Sequence, residues 1–218
     1  LEYARLCEDR HNEEESVKYC KMAADHGDVF GQFNYGSKLR LGIGIHKNMN
    51  ESIKYFKMAA DQGFPFAITA LASIFKNGEG VEVNNEEALK YFKIGADHGH
   101  IQSIFEYGKM LKNGEGTEKD EKLAAEYLKV AAENNHNEAM LLYGEMLLNG
   151  CGVEQNKSDA AYFIKSAADH GNKKAMLKYA KMLRHGDGVE QNEEESEKYV
   201  NMAFQRNEPQ INVECSIC

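Results

Sequence analysis

The sequence predicts an all-α protein, a solenoid of about six antiparallel helix pairs built on a 36-residue repeat. Three observations carry this. Gly-x-Gly recurs at Gly42/Gly44, Gly78/Gly80, Gly114/Gly116, Gly150/Gly152 and Gly186/Gly188, each copy 36 residues after the last. A second ladder at the same interval runs through Gly27, Gly63, Gly99, Asn135, Gly171 and Asn207. Only two prolines interrupt the 218 residues. A period this strict means one supersecondary unit copied along the chain.

Each copy holds two helical segments. In the first, apolar or small residues recur at Gly31, Tyr35 and Leu39. The equivalents of position 32 are Ile68, Ile104, Met140 and Met176, and those of position 39 are Phe75, Leu111, Leu147 and Leu183. That is the spacing of a helix with one buried face. The small residue at Gly36, Ala72, Gly108, Gly144 and Ala180 is expected to let a neighbouring helix approach closely. Gly42 and Gly44 then end the helix, because glycine takes the left-handed C-cap without a Cβ penalty.

The second helix has a written start. Asn48, Asn84, Asp120, Asn156 and Asn192 share one register as N-caps, with Glu51, Glu87, Asp159 and Glu195 three residues on. It continues through Tyr55-Phe56-Lys57-Met58-Ala59-Ala60 and stops at Asp61-Gln62-Gly63. The expected pairs span roughly 1–26, 31–62, 67–98, 103–134, 139–170 and 175–206. The first is about four residues short and lacks its Gly-x-Gly. The tail, 207–218, leaves the pattern and is expected to be extended or disordered.

Composition narrows the function. Net charge is −9, from 35 acidic and 26 basic side chains, which argues against general affinity for nucleic acid or anionic membrane. No apolar run approaches the ~20 residues of a membrane span. The five cysteines do not follow the period, so they do not form a disulfide framework. A cytoplasmic location is expected. The start at Leu1, without an initiator Met, reads as a piece of a longer chain and leaves secretion open.

Each copy approximates Ala-x3-Leu/Tyr-Gly/Ala-x2-Leu-x2-Gly-x-Gly-Val-x2-Asn/Asp-x3-Ala-x2-Tyr-Phe-x-x-Ala-Ala-Asp-x-Gly. The cleanest copy is Ala139 to Gly171. This closely resembles the Sel-1-like repeat, a relative of the tetratricopeptide repeat, over about 1–206. Departures are local: Gly95 stands for Ala, Asn135 for Gly, and Ile45 and Thr117 for Val. The resemblance implies a right-handed α-solenoid serving as an adaptor or scaffold, as part of a longer signalling or protein-quality-control chain. It also implies that the first helix of each pair lines the concave surface.

With that orientation, helical geometry at 100° per residue points Phe33, Ser37 and Arg40 away from the buried stripe. The candidate partner-binding residues are therefore Phe30, Phe33, Arg40, Phe66, Lys76, Phe105, Lys109, Lys112, Leu141, Leu177, Lys181 and Arg184. The expected partner is a protein or peptide with apolar anchors flanked by acidic residues. The competing reading is that the apolar row pads contacts between adjacent repeats and the lysines are ordinary solvated surface.

Catalytic motifs are weak, and no cofactor or metal is expected. Ser73-Ile74-Phe75-Lys76 matches the Ser-x-x-Lys of penicillin-recognising hydrolases, but the companion Ser-Asp-Asn and Lys-Thr-Gly elements are absent. Gly-x-Gly lacks the preceding strand and following Gly-Lys-Ser/Thr of a phosphate loop. His26, His98 and His170 share a register at helix C-termini and read as caps. Cys215-Ser216-Ile217-Cys218 is half of a tetrahedral zinc site at most. A non-enzymatic scaffold is the leading reading. The alternative is a hydrolase acting through Ser73/Lys76, or the regulatory region of an enzyme such as a kinase.

Overall fold

The computed structural model describes residues 13–205; the expected helix over 1–12, Cys7, and the tail with Cys215 and Cys218 lie outside the described residues. Among the described residues there are eleven helices and no strand: α1 (Glu13–Asp25), α2 (Val29–Leu41), α3 (Met49–Asp61), α4 (Pro65–Asn77), α5 (Asn85–Asp97), α6 (Ile101–Asn113), α7 (Glu121–Glu133), α8 (Asn137–Asn149), α9 (Lys157–Asp169), α10 (Lys173–His185) and α11 (Glu193–Gln205). The fold is an all-α repeat solenoid. It divides into two compact units, one running through Lys119 and the other starting at Asp120. Within each unit every helix packs on its neighbours in sequence.

The helix ends follow from side chains at fixed registers. Asn48, Asn84, Asp120, Asn156 and Asn192 each accept a hydrogen bond from a backbone N–H in the first turn of the following helix. The first helices start two residues earlier than expected, at 29, 65, 101, 137 and 173. Their caps are a mixed set. The Asp28 carboxylate accepts from Gly31 N, Asn172 from Lys174 and Ala175 N, and the His136 ring from Ala139 N. At the C-termini of the second helices α1, α5 and α9, His26, His98 and His170 donate Nδ1–H to the carbonyls of Met22, Ile94 and Ser166, each at 2.7 Å. The expected capping role of these histidines is what the structure shows.

The two glycines of each loop do different work. Gly42, Gly78, Gly114, Gly150 and Gly186 are left-handed C-caps whose N–H returns to the last turn of the helix. The second glycine is not a second helix stop, as the sequence suggested. A Cβ on Gly116, Gly152 or Gly188 would collide with the carbonyl of Asn85, Glu121 or Lys157. Each of those residues lies 31 positions upstream, at the start of the preceding pair's second helix. The same backbone approach places a Gly44 Cβ 2.6 Å from the Glu13 carbonyl oxygen.

The core of each pair is small residues against rings and branched chains. Gly36 lets the Phe56 ring to within 3.0 Å of where its Cβ would stand, and Gly144 does the same for Ile164. The buried Ser52 hydroxyl donates to the Gly36 carbonyl, and Ser196 to that of Ala180. Tyr35 meets Tyr55 edge-to-face at 4.7 Å, and Tyr179 meets Tyr199 at 4.9 Å. Tyr55 donates its hydroxyl to Asp25, and Tyr199 to Asp169, so α3 and α11 are each tied to the second helix of the preceding pair, α1 and α9. Burial, then the Asp25 carboxylate, pushes the Tyr55 hydroxyl up to about 12.

Two predictions follow from this packing. Gly186→Ala meets only ordinary van der Waals contacts, the nearest at 3.6 Å, and carries left-handed strain of about 1–2 kcal/mol. Gly188→Ala adds a backbone collision with Lys157, so urea denaturation should show the larger loss at 188. For Tyr55, the unfolded side chain titrates near ~10. Its raised folded value means that the stability it contributes is complete below that pH and is lost as pH climbs toward about 12. Tyr55→Phe should cost about 1 kcal/mol at neutral pH and flatten the alkaline fall of the denaturation midpoint.

Candidate protein-interaction surface

In the first unit, the start of α2 and of α4 carries interlocked phenylalanines. Phe30 is 51% exposed and Phe66 is 59% exposed. Phe64, half-buried between them, meets Phe30 at 5.2 Å, Phe33 at 5.2 Å and Phe66 at 5.5 Å between ring centroids. Phe33 also touches Phe56 and joins the patch to the core beneath. Phe64 occupies the N-cap position of α4 and makes no capping bond there. An apolar residue in that position forgoes about 1 kcal/mol relative to Asp or Asn. Pro65 at the first helical position softens the loss, since its missing N–H needs no partner.

His100 closes the patch on one side, its ring 6.0 Å from that of Phe66. Its Nδ1 lies 3.1 Å from Ser103 Oγ and 3.2 Å from Thr69 Oγ1, and burial pushes the imidazole below its ordinary value. Ser103 fits because Gly95 stands opposite: a Cβ on Gly95 would overlap the Ser103 hydroxyl. The corresponding pairs Ala59/Ala67, Ala131/Ala139 and Ala167/Ala175 are both alanine and fully buried. The departure at Gly95 is thus the space that a larger partner at Ser103 requires.

The basic row is mostly engaged within the molecule. Arg40 donates from Nε and Nη2 to both Glu79 carboxylate oxygens, at 2.8 and 2.7 Å. Lys76 Nζ lies 2.8 Å from Glu106 and 3.8 Å from Glu115. The depression of about 160 Å³ lined by Thr69, Ser73, Lys76, Gln102 and Glu106 therefore has its lysine paired with two carboxylates. Phe105 corrects the sequence reading: it is only 2% exposed, with the Lys109 ammonium 5.5 Å from its ring centroid, so it is core and not a surface anchor. Lys112 is half-buried.

In the second unit, Leu141 and Leu148 on α8 are half-buried and Leu177 on α10 is 43% exposed. The two helices are joined by Lys178 and Glu145 at 2.5 Å. Lys181 and Arg184 are exposed, Arg184 reaching Glu193 at 3.3 Å. Among the described residues no cluster of acidic, His or Cys side chains is arranged to hold a metal ion, and no helix is long and apolar enough to cross a membrane. Cys20 is buried and Cys151 half-buried, and both are free thiols.

Sequence reasoning named Phe30, Phe33 and Phe66, which the structure brings together, but missed Phe64. The available signal was an apolar residue in a register otherwise holding Asp28, His100, His136 and Asn172. It also missed the carboxylates that neutralise Arg40 and Lys76. Both pairs Arg40/Glu79 and Lys76/Glu115 are separated by 39 residues, so the sequence did contain a repeated charge spacing.

The profile of the Sel1 repeat matches residues 8–28, 29–64, 65–100, 101–136, 137–172 and 173–207. Among solved structures, c5321, a protective antigen present in uropathogenic Escherichia coli strains and displaying an SLR fold, is 25% identical, covers 88% of this chain and superposes with a TM-score of 0.84. The present chain spans 41% of the length of that protein. A Sel1 repeat protein from Oxalobacter formigenes is 30% identical over 90% of this chain and 78% of its own, with a TM-score of 0.73. Immunity protein PA5088 from Pseudomonas aeruginosa is 16% identical over 94% of this chain and 78% of its own, TM-score 0.54, a likeness of fold alone. Among curated proteins no match was found.

The Gly95/Ser103 exchange yields a test of this packing. Gly95→Ala overpacks against the Ser103 hydroxyl and should lower stability by about 1–2 kcal/mol, net of the gain in helix propensity. Adding Ser103→Ala recreates the alanine pair of the other copies, and thermal melting should return at least halfway to the starting value.

Proposed function

Because the chain belongs to the Sel1 repeat family, whose fold serves as a scaffold for protein interaction, we propose that it is a protein- or peptide-binding scaffold whose first unit takes an apolar anchor of its partner on the phenylalanine patch. The observation that carries this reading is that Phe30 and Phe66 stay half exposed or more while in contact, through Phe64, with a rigid core. Contiguous aromatic surface on a fixed backbone is the usual form of an interaction anchor, since the rings lose little entropy on binding. The missing N-cap at Phe64 supports the same reading: a local stability rule is broken where an apolar surface is gained. Against the hydrolase alternative stands the pairing of Lys76 with Glu106 and Glu115.

Covering one such ring is worth roughly 1.5–3 kcal/mol. Phe30→Ser/Phe66→Ser should therefore weaken peptides selected on the unaltered chain from a random display library by about tenfold or more. Its melting temperature should move by only a few degrees, because both rings are exposed. Equal affinity for both proteins would remove the patch as the anchor site.

A further inference from the structure

The second unit presents a different chemistry. α10 carries Lys173, Lys174, Lys178, Lys181 and Arg184, with His185, and no acidic residue, in a chain of net charge −9. Its buried face is Ala175, Met176, Tyr179, Ala180, Met182 and Leu183. At 100° per residue the opposite face is Lys174, Leu177, Lys181 and Arg184, a stripe spaced i, i+3, i+7 and i+10. All four are exposed, Leu177 by 43%.

Neighbouring carboxylates do not cancel the stripe. Glu145 is taken by Lys178, which sits at the edge of the face. Asp187 is held below the usual carboxylate range first by its hydrogen bond to Lys157, and only then through space by His185 and Lys181. Arg184 reaches Glu193 at 3.3 Å, an exposed pair worth about 1 kcal/mol at most and readily exchanged for another carboxylate. Lys174 has no ion-pair partner among the described residues.

We infer that this face of α10 is a docking surface for an acidic peptide segment whose apolar side chain covers Leu177 while its carboxylates engage Lys174 and Lys181. The occupant follows from complementarity. Leu177 lies between the two cations, so a purely ionic ligand leaves its apolar surface uncovered. A nucleic acid would gain no aromatic platform from Lys174, Leu177, Lys181 or Arg184, and it is repelled at longer range by the net charge of −9. Lys174 and Lys181 lie seven residues apart, about 10 Å along the helix axis. Carboxylates that match this spacing are about three residues apart in an extended peptide and seven in a helical one, on either side of the apolar residue.

The test uses the whole 218-residue chain carrying Phe30→Ser/Phe66→Ser, so that peptides captured by the first unit do not contribute and this inference stands or falls apart from the proposed function. A random peptide library is panned on that protein. Enriched peptides should pair Leu, Ile, Met or Phe with Asp or Glu at the stated spacing. Lys174→Glu/Lys181→Glu should weaken them roughly tenfold or more, with binding that also falls as salt rises. The charge-reversed protein should in turn select peptides with Lys or Arg flanks. Both lysines are exposed, so circular dichroism of the charge-reversed protein should be unchanged. The inference fails if nothing is enriched, if the peptides lack acidic residues, if charge reversal leaves affinity intact, or if oligothymidylate binds the stripe more tightly than the peptides do.

Discussion

One backbone contact sets the spacing of this chain. The second glycine of each loop lies against the first turn of the helix 31 residues upstream, close enough that a methyl group would strike a carbonyl at Gly116, Gly152 and Gly188. The contact involves main chain on both sides, so no rotamer change relieves it. Because the first glycine ends one helix and the second seats the loop on the preceding pair, the loop length and the stacking distance are fixed together. A copy with one residue more or less would lose the seat, and this is a physical reason for a period without drift. The remaining features hang on that spacing. The Tyr55–Asp25 and Tyr199–Asp169 hydrogen bonds span thirty residues each and need adjacent copies to be in register. So do the ion pairs that run from Arg40 and Lys76 into the next loop.

With the backbone held by glycines and small residues, the outward positions of the first helices are free to vary. Position 30 and its equivalents read Phe30, Phe66, Gln102, Glu138 and Lys174. Position 33 and its equivalents read Phe33, Thr69, Phe105, Leu141 and Leu177. The backbone around each set is nearly the same, yet the first unit ends up with an aromatic patch and the second with a basic stripe centred on a leucine. Neither change touches the glycine seats or the caps. A repeat scaffold can therefore alter what it recognises in one unit while its neighbour-to-neighbour energetics stay constant.

Much of the fold was legible because its determinants are local and periodic. The N-cap asparagines, the left-handed glycines and the capping histidines act within five residues of themselves, and repetition separates them from chance. The candidate surface was less legible because its determinants lie between copies. Phe33 and Phe105 occupy one register, but the first is half-buried in an exposed patch and the second is buried in the core. Helical geometry gives the direction in which a side chain leaves its helix, not what the neighbouring helix lays over it. The basic row failed for a related reason. Charges counted along one helix ignore carboxylates that arrive from a loop 39 residues away.

This suggests how the internal copies should be used to read function. Each copy is a control for the others, so a residue shared by all of them belongs to the fold, and a departure is the candidate for something else. Departure alone is not enough. Gly95 breaks its register, and the structure explains it completely by the hydroxyl of Ser103 in the same buried contact. Phe64 breaks its register too, but what it gains is not buried: the contacts lead outward, to Phe30 and Phe66 at the surface. Lys174 is a departure of the same kind, standing where Phe30 and Phe66 stand and facing solvent without an ion-pair partner among the described residues. A departure compensated inside the core is packing, whereas one that weakens a helix cap or leaves a charge uncompensated at the surface is where contact with a partner is to be tested.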